Sequence, residues 1–126
     1  TILENIYIMK LILNTNDILA ASRLKQHILS SVKGECEGIT IDTWSYTSSM
    51  EKYDLLFHNP PQYVKDNSKH VLFRVYTDGS NVVFTIVWWK KNPKPSQEIM
   101  CLHLGRLTEM LLANFRGEYS KLSIVD

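Results

Sequence analysis

Val71-Leu72-Phe73-Arg74-Val75-Tyr76-Thr77-Asp78-Gly79-Ser80-Asn81-Val82-Val83-Phe84-Thr85-Ile86-Val87-Trp88-Trp89 is the stretch on which the fold turns. Two β-rich runs flank Asp78-Gly79, and that dipeptide favours a two-residue hairpin loop because glycine adopts positive φ without steric cost. Such a loop sets Val75 opposite Val82, Phe73 opposite Phe84 and Val71 opposite Ile86, with Trp88 extending the row. A four-residue loop over positions 78–81 shifts the partners but keeps odd numbers on the first strand with even numbers on the second. A three-residue loop or a bulge would exchange the faces. One face of the hairpin is therefore wholly apolar. The other carries Leu72, Arg74, Tyr76, Val83, Thr85, Val87 and Trp89, a mixture closer to interface chemistry than to a plain solvated surface.

Working outward, residues 38–47 alternate with period two and predict another strand, with Ile39 and Ile41 on one side and Asp42, Trp44 and Tyr46 on the other. Residues 53–58 predict a short strand that ends at Asn59-Pro60-Pro61, since proline cannot donate to a ladder. The loop over residues 59–69, about a dozen residues, is long for a compact domain and contains Tyr63. Residues 7–13 are almost continuously apolar, the mark of a strand covered on both faces.

Two helices frame these strands. Asn14-Thr15-Asn16-Asp17 is a cluster of capping residues, after which Ile18, Ala21, Leu24, Ile28 and Val32 recur on one helical face, and Gly34 provides a stop. Ser96 caps a second helix whose Met100, Leu104, Leu107, Leu111 and Phe115 form an apolar stripe, with Gly117 beyond. Gly105 lies in its interior, where glycine costs about 1 kcal/mol against alanine, which suggests a close approach. Residues 119–125 form a last strand or a tail. The fold class is thus α+β: a single layer of mostly antiparallel sheet, about five strands in the order β-α-β-β-β-β-α, packed with two amphipathic helices. If both helices lie on the Phe73 side, then Trp44, Tyr46, Arg74, Tyr76 and Trp89 share one exposed surface. If one helix covers each side, these aromatics are core.

The chain of 126 residues, 44% hydrophobic, is a single domain over positions 1–126. Its net charge of +1 leaves no electrostatic footprint for nucleic acid, and no apolar run approaches the roughly 20 residues that span a bilayer. The opening residues lack the basic segment and cleavage site of a secretory leader. Met9-Lys10 resembles an initiation point, so positions 1–8 are expected to be a dispensable extension. Cys36 and Cys101 are expected to be free thiols in a reducing cytoplasm.

No catalytic, metal or phosphate-binding motif is present, and neither a cofactor nor enzymatic activity is expected. The histidines, His27, His58, His70 and His103, show no ligand spacing. His103 reads as a hydrogen-bonded residue at the core rim. His58 and His70 bracket the long loop; were they to meet beside Lys65 or Lys69, one acting as base and one as acid, they would support RNase-like cleavage.

In size, layout and aromatic-polar mixture over residues 9–122 the chain resembles the immunity proteins that neutralise bacterial toxins, including those of contact-dependent growth inhibition. The resemblance implies a cytoplasmic inhibitor that binds a cognate toxin domain. Arg74, Tyr76, Trp44 and Trp89 would be its anchors, since Trp, Tyr and Arg dominate binding hot spots, with Tyr46, His58 and Tyr63 beside them. Asp42, Glu51, Asp54 and Asp66 would match a basic toxin surface. A second reading is a secretion or assembly chaperone that acts as a homodimer and holds an extended partner strand.

Overall fold

A computed structural model describes residues 1–4 and 9–126. The described elements are β1 (Ile2–Glu4), β2 (Lys10–Asn14), α1 (Ile18–Val32), β3 (Trp44–Ser48), β4 (Asp54–His58), α2 (Pro61–Val64), β5 (Leu72–Asp78), β6 (Asn81–Trp89), α3 (Gln97–Phe115) and β7 (Lys121–Val125), with a 3-10 turn before the last strand. The strands form one seven-stranded sheet in the order β3-β4-β5-β6-β2-β7, with β1 also paired to β6. All of these pairings are antiparallel. The α+β class with a single antiparallel sheet thus holds. The count of five strands and two helices falls short, because β1 and the one-turn α2 are too short to show a period of their own and residues 119–125 read equally as strand or tail.

At the hairpin the register differs from the first expectation by two residues. Asp78 pairs with Asn81, Val75 with Phe84 and Phe73 with Ile86, so Gly79-Ser80 forms the loop. Gly79 has φ 59° while Ser80 is not in the positive-φ region, the pattern of a type II′ turn with glycine first. Thr15 clamps this loop, donating to the Ser80 carbonyl from its N–H at 3.0 Å and from its hydroxyl at 2.6 Å. Because the shift is an even number, the side chains keep the faces assigned to them.

Each helix starts where its cap places it. The Asp17 carboxylate accepts the Ala20 N–H at 2.7 Å, and the Ser96 hydroxyl accepts the Ile99 N–H at 3.2 Å. Ala21, Leu24, Ile28 and Val32 are buried, as is the whole stripe from Met100 to Phe115. Ile18, expected on the first stripe, is 71% exposed; it occupies the first turn, directly after the cap. Gly105 is exposed, and a Cβ added there meets nothing within 4 Å. The close approach is absent, so Gly105→Ala is expected to stabilise α3 by up to about 1 kcal/mol, read as a rise in melting temperature.

Both helices pack on the same side of the sheet, in one core with Leu11, Leu13, Phe73, Val75, Val82, Phe84, Ile86 and Trp88. On the other side Ile2, Leu55, Leu72 and Val87 form a second, smaller cluster with Tyr53, Phe57 and Trp89. The single-sided arrangement is therefore the one adopted. Strand β2 is not covered on both faces: Leu11 and Leu13 are fully buried, Ile12 half-buried and Lys10 exposed. Residues 7 and 8 of that expected strand lie outside the described residues.

Positions 1–4 are part of the sheet. Ile2 pairs with Trp89 and Glu4 with Val87, Lys90 donates its N–H to the Thr1 carbonyl at 2.9 Å, and Ile2 is only 9% exposed. A chain that starts at Met9 is thus expected to lose about 2 kcal/mol or more, the burial of one isoleucine plus its ladder. An unchanged urea midpoint would restore the view that this segment is dispensable. Among the described residues no helix is long and apolar enough to cross a membrane.

Candidate functional site

The sheet divides the seven candidate residues into two groups. Trp44 pairs with His58, Tyr46 with Leu56, and Leu56 with Phe73, so these side chains share the helix-covered face. Arg74, Tyr76 and Trp89 alternate with Phe73, Val75 and Trp88 and stand on the helix-free face. The expected surface uniting Trp44 and Tyr46 with Arg74, Tyr76 and Trp89 does not form. Residues 38–43 are not strand, and Ile39 and Ile41 pack against the same core as Trp44 and Tyr46, so the alternation that separated them does not operate.

On the helix-free face Arg74 lies opposite Leu55 in β4 and Thr85 in β6. Its guanidinium sits 3.8 Å from the ring centroid of Tyr53 and 4.9 Å from that of Tyr76, within the range of cation–π attraction. Tyr53, Phe57 and Trp89 pack against Leu55, Leu72 and Val87, which are fully buried although they lie on the face without the long helices. Arg74, Tyr76, Tyr53, Phe57 and Trp89 remain half-exposed. Tyr53 and Phe57 were not singled out from sequence. Their signal was parity with Leu55 within the expected strand over residues 53–58, which puts alternate residues on one face.

On the other face four rings cluster where β4, α2 and α3 converge. His58 is 5.3 Å from Trp44, 5.4 Å from Tyr63 and 6.1 Å from His103 between ring centroids, and Tyr63 is 5.0 Å from His103. His58 Nδ1 donates to the Thr43 carbonyl and His103 Nε2 to the Lys69 carbonyl, both at 3.0 Å. Burial pushes the His58 imidazolium down, partly offset by the Thr43 carbonyl. Burial together with the neighbouring His58 takes His103 down to about 4. The conditional pairing of His58 with His70 finds no ring contact among the described residues: His70 meets Phe57 edge-on, 5.2 Å away, on the helix-free side. Burial and the Lys91 charge lower His70 as well. The Lys69 ammonium lies 3.8 Å from Asp66.

Tyr46 fastens helix to sheet. Its hydroxyl donates to Asp54 at 2.7 Å, Lys25 of α1 pairs with the same carboxylate at 3.0 Å, and Lys33 lies 4.2 Å above the Tyr46 ring. The hydrogen bond to Asp54 and burial push the phenol up to about 12. Of the other acids, Asp66 accepts from Ser68 at 2.6 Å and Glu51 is exposed in the β3–β4 turn. Asp42 lines a cleft of about 230 Å³ with Trp44, His58, Arg106, Glu109 and Asn114. The four acids are therefore dispersed and form no common surface.

Cys36 and Cys101 are both free. Among the described residues no group of three His, Cys, Asp or Glu side chains is placed to hold a metal ion. Comparisons with protein-family models, curated proteins and solved structures find no match to this chain.

Proposed function

We propose that this chain is a protein-binding module that receives its partner on the helix-free face of the sheet, and that it serves as an immunity protein against a toxin domain. The observation that carries the reading is the stack Tyr53–Arg74–Tyr76, continued by Trp89 across a buried apolar layer on a face to which neither long helix contributes. Tyr, Trp and Arg supply large contact areas at small entropic cost, and they cluster where binding energy concentrates. Arg74, already held between two rings, loses little freedom on meeting a carboxylate or carbonyl of the partner.

The test is co-expression with the secreted protein encoded by the neighbouring gene. Growth is expected to be restored by the natural chain and lost with Arg74→Ala/Trp89→Ala, a double variant that keeps its cooperative melting. Toxicity unaffected by the natural chain would overturn the immunity reading. Protection by the double variant would overturn the choice of face. The chaperone reading draws on one feature, the outer edge of β7, where Ile124 and Val125 are exposed and no further strand follows in the described sheet. Light scattering that finds a stable dimer, with Trp89 shielded from quenchers, would favour it.

A further inference from the structure

We propose that the cleft between α3 and the segment leading into β3 is a binding site for a guanidinium group. The proposal does not rest on the helix-free face. Its walls come from three elements that share one core: Trp44 and His58 from the paired strands β3 and β4, and Arg106, Glu109, Met110 and Asn114 from α3.

Three residues with acceptor groups line the cleft. Asp42 is exposed at the mouth, and its carboxylate has no hydrogen bond or ion pair among the described residues. Glu109 meets Arg106 at 3.2 Å across one turn of α3, an exposed pairing that a better-placed cation can displace. His58 is only 8% exposed, and its Nδ1–H is committed to the Thr43 carbonyl. In the neutral ring Nε2 is then the acceptor, and no described residue donates to it.

The balance of charge decides the class of ligand. Two carboxylates and a histidine acceptor face one cation, Arg106, which is already engaged, so an anion would meet net repulsion. A planar cation with several donors suits separate acceptors better than a compact ammonium does. Trp44 and Met110 supply apolar wall for its faces and stem. At about 230 Å³ the cleft is smaller than the pockets that hold drug-sized molecules, and it matches a single side chain or a small guanidine.

The experiment is an NMR titration of the full chain, following the His58 ring and Asn114 side-chain signals while N-acetylarginine amide is added. Saturable shifts are expected, and none with N-acetylcitrulline amide, which has the same shape without the charge. Asp42→Asn should weaken binding roughly tenfold. Arg106→Gln should strengthen it, because Glu109 is then released to the ligand. Both substitutions fall on exposed residues, so the fold is retained and the ligand can be added to intact protein. Tighter binding of an arginine-centred peptide than of agmatine would assign the group to a polypeptide, and the reverse to a free small molecule. No saturable shift in the natural chain, equal shifts with citrulline, or full affinity in Asp42→Asn would each overturn the site. Such a failure leaves the partner reading untouched, since the titration involves no partner.

Discussion

Trp44→Ala is expected to cost about 3–5 kcal/mol of folding stability. Trp44 is 3% exposed and sits with its ring 5.3 Å from His58 and 6.0 Å from Phe73, inside the core shared with both long helices. Truncation there leaves a cavity among residues fixed by β3, β4, β5 and α3, which cannot all close in together. Arg74→Ala and Trp89→Ala should behave in the opposite way. Both residues are half-exposed on the helix-free face, so their loss is expected to lower the urea midpoint less than Trp44→Ala does, and partner affinity by more than about 2 kcal/mol. Urea unfolding of the three variants, followed by partner titration of those that fold, checks the contrast. A Trp44→Ala protein with natural stability would show that the tryptophan is dispensable to the core.

The second large effect is acid sensitivity centred on His103. Its folded-state pKa lies near 4, against 6.5 for the free group, so below pH 6.5 the unfolded chain binds a proton that the folded chain resists. Stability is therefore full above pH 6.5 and is lost as pH falls, the loss levelling off below about 4. The shift corresponds to about 3 kcal/mol. His58 and His70, lowered in the same direction by burial, add to it. The charged groups facing the cluster are Arg106 and Glu109 on α3 beside His58, and Lys91 beside His70. Asp54 acts in a separate, lower window. Burial pushes its carboxyl up, but Tyr46 and Lys25 outweigh this and hold it below the usual range, so its contribution is lost only as pH falls below the ordinary aspartate value of about 4. Denaturant melts between pH 7 and pH 4.5 should therefore show a falling midpoint that is much flatter in His103→Gln, whose amide can still donate to the Lys69 carbonyl. Equal slopes in the two proteins would rule out His103 as the main cause.

Much of the architecture was legible because it is written in local periodicity. Both caps, both apolar stripes and the two faces of the β5–β6 hairpin follow from residue spacing, and the faces survived a two-residue error in register because only an odd shift exchanges them. Non-local facts were not legible. The alternation through Gly38, Ile39, Thr40 and Ile41 reads as strand, yet among the described residues no strand pairs with it. Trp44 and Tyr46 were therefore set on the wrong side relative to Arg74, an assignment that depends on the register of β4 against β5. The cluster of His58, Tyr63 and His103 joins positions far apart in sequence, and sequence proximity suggested His70 in place of His103. Tyr53 and Phe57 share the parity of Leu55 in the expected strand over residues 53–58, but nothing in that short run says which of its faces lies beside Arg74.

Strand β2 pairs on one side with β6 and on the other with β7, so an early segment is hemmed in by two of the latest. During synthesis Leu11 and Leu13 wait for Phe84 and Val82 on one side, and for Ile124 and Leu122 later still on the other. The sheet cannot close progressively from its N-terminal end. Folding of this sheet must join segments about 70 and 110 residues apart, contacts that make loop closure costly and refolding slow, in milliseconds to seconds. In that interval the newborn chain carries apolar β-segments with exposed edges, which makes it more prone to aggregation than a helical bundle of equal size.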